Sequence, residues 1–546
     1  MLFNSFIFVL LFLPITVVIY HLINHRGYYT AAKLFLLGMS LWFYCYSDPE
    51  NVIVLLLSIV INYLIATKLL TPQCPGKNPV SDTSSDNDVP NAPLESSSPV
   101  ISGETAASLP EHSSSRKIVL ALGILMNVAS LLYFKYTGFF SIVMTDLIKT
   151  PVFFQAILSP LGISFFTFGQ IAYLVDSYRD GISKAPSLHP SSKILKSEGS
   201  SYSFLDYALF VSFFPKISVG PIAYAKELIP QFNDSLRKEA DFDNIAKGLT
   251  MFSFGLAKKV LIADTVAAMV DWGYTNPLAI DSLIALIMVL GYTVQIYFDF
   301  SGYCDMASGI CLMLNLELPV NFDSPYRALS VNDFWKRWHI TLTRFFRQYV
   351  YFSLGGNRKG KVRTYINIFL IFLLSGFWHG ANYTFIVWGI THGVFMCLSK
   401  AFLPYTERLP KAIRFIFTFF YINLTWVFFR AYTVKDAVGV ILTLFSFRFN
   451  TLDQNATFVA KVCPTEFQLV QWLLSLNDPE LPKLTGMIFI LLVIAFAVFA
   501  SVKMKNPAER VKNFKPTKRL LAATVVLLIW SIISLSDIST FIYTNF

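Results

Sequence analysis

Residues 319–363 read PVNFDSPYRALSVNDFWKRWHITLTRFFRQYVYFSLGGNRKGKVR, and residues 375–393 read SGFWHGANYTFIVWGITHG. Together they hold three of the seven histidines, and nine Lys or Arg side chains fall between Arg327 and Arg363. An apolar run separates the two stretches, and further apolar runs fill most of the chain on either side. The region is therefore a cationic, histidine-bearing segment set among hydrophobic helices, and the fold must be built around it.

The composition excludes an ordinary soluble enzyme. Of the 546 residues, 54% are hydrophobic and only 14% are charged, whereas soluble domains carry about 25% charged residues. Several apolar runs are shorter than a bilayer span, so we expect an all-α polytopic membrane protein with about 10–13 transmembrane or re-entrant helices. Short segments at membrane depth need protein or a water-filled cavity to cover their backbone groups, which predicts an internal cavity.

The net charge of +10 indicates cationic cytoplasmic loops facing a lipid membrane. It does not indicate a nucleic-acid partner, because the aromatic residues lie inside apolar runs. The first 20 residues have no basic residue before the apolar run and no small-x-small cleavage site, so they predict a retained helix. The six cysteines form no CxxC pair, and the pattern predicts neither a disulfide framework nor a metal site.

Four regions follow from the distribution of apolar runs. We expect N-terminal transmembrane helices in residues 1–70, a catalytic membrane core in residues 117–430, and further membrane helices in residues 431–546. Residues 71–116 are rich in Ser, Pro and acidic side chains. This composition predicts a disordered loop, which we interpret as a tolerated insertion in preference to a regulatory tail.

One helix is predicted from Asn332 to Tyr349, capped by Asn332 or Asp333. At 100° per residue its aromatic side chains fall on one arc and its cations on another, as in a helix lying in the membrane interface. A second interpretation is that the cations attract an anionic donor, and the flexible glycine loop beyond them suits a phosphate. The residues predicted to bind the donor are Arg337, Arg344, Gly355, Gly356, Asn357 and Arg358.

His379 lies 16 residues beyond Arg363, which is about 24 Å along a helix. If Arg363 is cytoplasmic, this histidine lies deep in the hydrocarbon core, where an ionisable group is a candidate functional site. Trp378 and Asn382 offer a stacking face and an amide beside it. A neutral imidazole can take a proton from a hydroxyl nucleophile near pH 7, so we predict that His379 is a general base in a substrate tunnel.

Two acids also fall in an apolar run, Asp299 and Asp305, within QIYFDFSGYCDMASG. We predict that Asp299 lines the tunnel, although hydrogen bonding to the backbone is the commoner role for such acids. The same acids with His379 could form a proton relay, so a proton-coupled transporter or flippase is an alternative. The lack of an internal repeat weighs against that alternative.

The stretches NDFWKRWHITLTRFFRQYVYFSLGGNRKG and GFWHGANYTFIVWGITHG resemble the membrane-bound O-acyltransferases, in particular the bacterial branch of alginate O-acetylases and D-alanyl-lipoteichoic acid transferases. FFPKISVGPI and GLAKKVLIAD agree with this resemblance. It implies a multi-pass protein of the bacterial inner membrane whose helices surround a central tunnel or funnel. It also implies that His379, in WHG, is catalytic and that His339 matches the family's second histidine.

The resemblance further implies the reaction and the partners. The expected reaction moves an acetyl group from acetyl-CoA, or from a carrier-protein thioester, toward hydroxyls of an exported polysaccharide such as alginate or peptidoglycan, with no permanently bound cofactor. D-alanyl transfer to teichoic acid is the alternative within the family. A separate periplasmic or extracellular acyltransferase is an expected partner. The terminal FIYTNF resembles a family signature, in which Tyr543 would carry the acyl group transiently; an aromatic anchor is the alternative.

Overall fold

The structure is a computed structural model that describes residues 1–70, 114–151, 157–180, 202–450, 481–503, 514–535 and 540–542, with residues 458, 472–473, 475–476 and 511. Within these residues the regular structure is entirely helical. Eight of the described helices are long and apolar enough to cross a membrane. The predicted all-α polytopic class is therefore confirmed. Most of the predicted 71–116 loop and Tyr543 lie outside the described residues.

The described α-helices are numbered in chain order. They are α1 Leu13–His25, α2 Tyr29–Ser47, α3 Val52–Leu70, α4 Ser114–Ile148, α5 Ile163–Asp180, α6 Phe204–Ser212, α7 Phe214–Ile217, α8 Ala225–Asn233, α9 Phe242–Ala257, α10 Asp264–Thr275, α11 Ser282–Met313, α12 Val331–Arg337, α13 Ile340–Phe345, α14 Lys361–His379, α15 Tyr383–Ala401, α16 Leu403–Thr406, α17 Lys411–Arg430, α18 Val434–Leu444, α19 Leu481–Lys503 and α20 Lys518–Ile533. Three π-helical turns accompany them, at Phe8–Phe12, Lys258–Ala263 and Phe346–Tyr351.

Helix α11 forms the centre of the described structure. It has 32 residues, about 48 Å of helix, and it is apolar on all sides because other helices surround it. Helix α9 packs against it at two glycine pairs: an added Cβ on Gly248 would lie 2.5 Å from the carbonyl oxygen of Gly309, and one on Gly255 would lie 2.7 Å from that of Gly302. Such small-residue contacts let two helix backbones approach closely where hydrophobic exclusion from water gives little drive.

Two consecutive lysines follow α9 in a π-helical turn. Lys258 Nζ lies 2.6 Å from Asp305, and Lys259 Nζ lies 2.6 Å from Asp299, both on α11. Lys259 also lies 2.9 Å from Asp264. In a regular α-helix adjacent side chains point about 100° apart. A π-helical turn has more residues per turn, so Lys258 and Lys259 point in more similar directions and both reach α11. Buried charges are tolerated when they are paired in this way.

The predicted single helix from Asn332 to Tyr349 is wrong. Helix α12 ends at Arg337, Trp338 is extended, and His339 adopts a left-handed conformation with φ 45° and ψ 52°. The helical path resumes at Ile340 and widens into a π-helical turn. The apolar side chains assigned to one face are nevertheless buried in the protein core: Trp335, Trp338, Leu342, Phe345, Phe346 and Tyr349.

Helices α14 and α15 form a hairpin joined by the short connection Gly380–Asn382. An added Cβ on Gly376 would lie 2.4 Å from the carbonyl oxygen of Phe385, and one on Gly389 would lie 2.7 Å from that of Phe372. The two helices therefore touch backbone to backbone close to the C-terminal end of α14. This contact leaves no room for side chains at the two glycines and fixes the turn that carries His379.

Candidate active site

His379 is the last residue of α14 and is 2% exposed. Its ring lies among aromatic rings, with centroid distances of 4.8 Å to Trp378, 5.2 Å to Trp388 and 5.1 Å to Phe429. The opposite end of the same helix is cationic and exposed. About 27 Å of helix therefore separates an exposed basic rim from a buried imidazole.

His339 is completely buried at the start of α13. Its Nδ1 lies 3.1 Å from Oδ1 of Asn321, which also accepts from the backbone N–H of Thr341 at 3.2 Å and from its hydroxyl at 2.8 Å. Because Asn321 presents an oxygen, Nδ1 donates the hydrogen bond and Nε2 carries the ring's lone pair. Burial lowers the pKa of His339 to about 3, so the ring is neutral at physiological pH.

Trp378 connects the two histidines. Its ring centroid lies 6.2 Å from that of His339 and 4.8 Å from that of His379. The same indole stacks on Phe168 of α5 at 5.2 Å, and Phe165 packs edge-on at 5.7 Å. The structure thus brings together His339, His379 and Trp378, which are separate in the sequence by up to 40 positions.

A small cavity lies near these three rings but is not lined by them. Phe165, which contacts Trp378, forms part of its wall, as do Lys216 and Ile222. The backbone N–H of Ile222 donates to the hydroxyl of Thr341, two residues after His339. The loop that follows α7 therefore reaches the histidine cluster through both a cavity wall and a hydrogen bond.

The glycine loop before α14 has the predicted backbone freedom. Gly355 and Gly356 have φ of 96° and 57°, a region that side chains disfavour. Asn357 and Arg358 are exposed. The backbone N–H groups of Gly355, Gly356 and Arg358 donate within the loop, while the Asn367 amide donates to the Gly356 carbonyl at 2.9 Å. The loop's cationic side chains, rather than these backbone groups, face outward.

The other two predicted donor-binding cations are held by carboxylates. Arg337 pairs with Asp333 at 3.0 Å and with Asp323 at 3.1 Å. Arg344 makes a two-pronged pair with Glu227, one of whose bonds measures 2.9 Å, and also donates to the Ile222 carbonyl at 3.0 Å. The Arg344 pair connects α13 with α8, and the Arg337 pairs connect the end of α12 with its own first turn and with the preceding loop, so both arginines have a structural part in the site.

Asn382, predicted to line the tunnel, caps α15. Its Oδ1 accepts from the Thr384 N–H at 3.1 Å, and its amide donates to the Tyr432 carbonyl at 2.9 Å. His392 lies next to Trp335 Nε1 at 3.3 Å and the Thr425 hydroxyl at 3.2 Å. Both residues hold helices around the histidine cluster.

Asp299, predicted to line the tunnel, pairs with Lys259 and accepts a hydrogen bond from the Ile542 N–H at 2.9 Å. Lys259 donates to the Thr540 carbonyl at 3.1 Å, and its ammonium lies 4.7 Å from the Phe541 ring. Phe541 is 1% exposed. The described part of the FIYTNF segment therefore packs on α11, where the Phe541 ring contacts Tyr303 at 4.8 Å. Phe300, which follows Asp299 in α11, packs its ring on His339 at 4.8 Å.

Two parts of the site are not predictable from histidine-centred motifs. Asn321 fixes the His339 ring, and Lys135 donates from α4 to the main chain of Trp378 and His379. A sequence signal existed for Lys135, because it stands alone in the apolar run NVASLLYFKYTGFF, and a charge in a membrane span calls for a partner. Among the described residues, no group of three His, Cys, Asp or Glu side chains is arranged to hold a metal ion.

The model of the membrane-bound O-acyltransferase family, MBOAT, matches residues 122–434. This range contains both histidines, the Gly355–Arg358 loop and α11. It covers more than half of the chain.

Individual relatives agree with that match. The chain is 39% identical over 454 residues to the peptidoglycan O-acetyltransferase of Helicobacter pylori, covering 81% of this chain and 79% of that protein. It is 34% identical over 454 residues to a probable alginate O-acetylase of Pseudomonas aeruginosa, covering 82% and 75%. It is also 28% identical over 259 residues to the teichoic acid D-alanyltransferase of Bacillus subtilis, covering 46% and 62%.

Proposed function

Since the chain belongs to the membrane-bound O-acyltransferase family and is an acyltransferase, we propose that it transfers acetyl groups from acetyl-CoA, across the bacterial inner membrane, to hydroxyls of an exported cell-surface polysaccharide. The observation that carries this proposal is the placement of His379, which is buried among aromatic rings at the end of a helix that starts at an exposed basic rim. The donor would approach from the rim and the chemistry would occur at the buried end.

His379 acts as the general base. Its imidazole takes the proton from a hydroxyl as that oxygen attacks the thioester carbonyl carbon. The carbon–sulfur bond then breaks, and the imidazolium returns the proton to the departing thiolate, so that the ester and free CoA are the products. The aromatic walls keep water away from the thioester, which would otherwise be hydrolysed.

His339 orients the hydroxyl. A ring that polarises a carbonyl must donate an N–H, but the Nδ1–H of His339 is directed to Asn321. The lone pair on Nε2 is suited to accept from another O–H or N–H of the group that carries the attacking hydroxyl, which positions that hydroxyl while its own proton goes to His379. The left-handed backbone at this residue costs about 1–2 kcal/mol, and the hydrogen bonds around Asn321 hold it in place.

The donor's phosphates would meet the exposed cations of the loop before α14. Arg358 and Lys359 are exposed there, and Lys361 and Arg363 continue the same rim at the start of α14. Arg337 and Arg344 contribute indirectly, because their carboxylate partners hold them in place. Asn357 and the two preceding glycines shape the loop.

The terminal segment supplies the nucleophile in this proposal. Phe541 and Ile542 are anchored on α11 by Lys259 and Asp299, and Tyr543 is the next residue of the chain. A phenol needs a base to attack a thioester, and His379 would provide it. The acetyl-tyrosine would then be passed to the polysaccharide, by a separate extracytoplasmic acyltransferase.

Peptidoglycan is the acceptor that we favour, because a relative with 39% identity carries that name. An alginate-type polymer is the second candidate. D-alanyl transfer to teichoic acid has less support, since the relative of that name is 28% identical and matches 46% of this chain. Proton-coupled transport loses support because Asp299 and Asp305 are both engaged by lysines.

The test uses a strain that lacks its own copy of this protein. It is complemented with the wild type or with His379→Ala, and ester-linked acetate is released from the isolated polysaccharides by mild base and quantified. We expect the variant to lose at least about 100-fold in acetate, the size of a general-base contribution, at equal membrane abundance. Acetylation at the wild-type level in that variant would overturn the proposal. D-alanine in place of acetate would identify the alternative reaction.

A further inference from the structure

Helix α14 ends without a capping turn of its own. Its C-terminal neighbour Gly380 is extended, with φ −165° and ψ 152°, so it does not fold back to bond the last carbonyls. The final carbonyl groups of a helix have no partner within that helix. At membrane depth a polar group left without a partner costs several kcal/mol, so the end that carries His379 depends on other elements.

Helix α4 satisfies these carbonyls. Lys135 Nζ donates to the carbonyl oxygen of Trp378 at 2.7 Å and to that of His379 at 3.3 Å. Tyr136, the next residue, donates its hydroxyl to the carbonyl of Phe377. Three consecutive carbonyl groups at the end of α14 therefore accept from two consecutive side chains of a helix that is more than 200 residues away in sequence.

The charge of Lys135 suits this position. The C-terminal end of a helix carries a partial negative charge, which a nearby cation stabilises. The third donor of the ammonium group reaches the Ser164 hydroxyl at 3.4 Å, and the nitrogen lies 5.6 Å from the centroid of the Trp378 ring. Lys135 thus joins α4, α5 and α14 at the residue where α14 ends.

The surroundings show that this lysine serves the interior of the protein. Only 17% of the most hydrophobic stretch of α4 is buried inside the protein. A charged side chain in a membrane-spanning helix with so little protein around it is costly. The hydrogen bonds that Lys135 makes to α14 offset that cost. The opposite side of the His379 turn is fixed by the contact between Gly376 and Gly389.

We propose that Lys135 is a positioning residue for the acyl transfer: by binding the carbonyls of Trp378 and His379, it sets the direction in which the His379 imidazole points. The inference rests on the proposed role of His379. A merely structural alternative is that Lys135 only holds α4 against α14. Tyr136 provides the matched control, because it makes the neighbouring bond across the same helix contact without touching either of those two carbonyls.

The experiment measures acetyl-CoA turnover, as release of the CoA thiol, by the purified full-length protein in lipid nanodiscs, supplied with solubilised peptidoglycan and the extracytoplasmic protein fraction of the same cells so that the acetyl group has an acceptor. For Lys135→Met we expect kcat to fall about 10- to 100-fold with KM within about twofold, since a misplaced base affects the chemical step. Lys135→Arg should recover to within about fivefold of wild type, because the guanidinium still donates. Tyr136→Phe should stay within about threefold, because the carbonyls that orient His379 keep their donor.

Two results would overturn the inference. One is an unchanged kcat in Lys135→Met. The other is an equal loss of kcat in Lys135→Met and Tyr136→Phe, accompanied by an equal fall in the thermal unfolding midpoint. If Lys135→Met does not fold, Lys135→Gln takes its place, and its kcat must lie below that of Lys135→Arg. The proposed function fails separately: full turnover by His379→Ala refutes it, whereas an inactive His379→Ala with a fully active Lys135→Met refutes only the role of Lys135.

Discussion

The rings of His339 and His379 both contact the indole of Trp378, at centroid distances of 6.2 Å and 4.8 Å. The three residues come from two different segments, and Phe168 stacks on the indole at 5.2 Å. The distance between the two imidazoles therefore depends on one aromatic ring. Any substrate that lies between the histidines also meets that ring.

Replacing Trp378 tests this arrangement. Trp378→Phe keeps an aromatic surface, so we expect polysaccharide acetylation to fall by about tenfold or less, whereas Trp378→Ala leaves a cavity that costs about 3–5 kcal/mol and should abolish activity. Acetate release and the thermal unfolding midpoint are measured together. Wild-type acetylation in the alanine variant would contradict a role for the ring in spacing the histidines.

A second prediction concerns His339. Because burial lowers its pKa from the ordinary 6.5 to about 3, the ring stays neutral in the folded protein above about pH 4, whereas in the unfolded chain it gains a proton as the pH falls through 6.5. Protonation therefore favours the unfolded chain, so the stability of the folded protein is fully present above pH 6.5 and decreases as the pH falls toward 3.

For catalysis, His339→Gln should lower kcat about 10- to 100-fold, as expected of a group that orients the nucleophile. The shape of the rate profile from pH 5.5 to pH 8 should stay the same, because the wild-type ring does not titrate in that window. The measurement is acetyl-CoA turnover across this range. If the substitution removes an acid limb near pH 6, the neutral state assigned to His339 is wrong.

Because α14 and α15 approach each other closely, we predict that an added side chain at their contact disrupts the site. Gly376→Ala would place a Cβ 2.4 Å from the carbonyl oxygen of Phe385, so the helices must separate and the His379 turn must move. We expect loss of most activity and a lower unfolding midpoint. Gly439→Ala on α18 is the control, because no atom lies within 4 Å of its added Cβ, and it should be neutral or stabilising by up to about 1 kcal/mol. Similar behaviour of the two variants would refute the steric argument.

The donor side is tested by comparing an exposed arginine with a paired one. Arg358→Gln should raise the KM for acetyl-CoA about two- to fivefold and leave kcat unchanged, which is the modest effect expected of an exposed charge. Arg344→Gln should instead lower the unfolding midpoint, because Glu227 loses its partner. An unaltered KM in Arg358→Gln, Lys359→Gln and the double variant would place the donor's phosphates elsewhere.

The sequence predicted the fold class because composition and the length of apolar runs depend on the membrane itself. It also singled out both histidines, which the structure brings together around Trp378. It did not predict the break at His339, because helical periodicity continues across that residue and only the contacts of Asn321 hold the left-handed turn. It assigned Arg337 and Arg344 to a ligand and did not predict their ion pairs. Glu227 is more than 100 residues from Arg344, so that pair is not visible in a local pattern, whereas Asp333, a partner of Arg337, is only four residues away.

The last prediction concerns the terminal segment. Tyr543→Phe removes the hydroxyl that would carry the acetyl group, so polysaccharide acetylation should fall at least about 100-fold while the protein remains folded. Phe541→Ala should give a smaller loss, since it removes the ring that packs on Tyr303 at 4.8 Å and on Lys259. Ile542→Val is the control, because Asp299 binds the backbone N–H of that residue and not its side chain. Normal acetylation in Tyr543→Phe would show that the tyrosine serves only as an anchor, and the acceptor hydroxyl would then have to reach His379 directly.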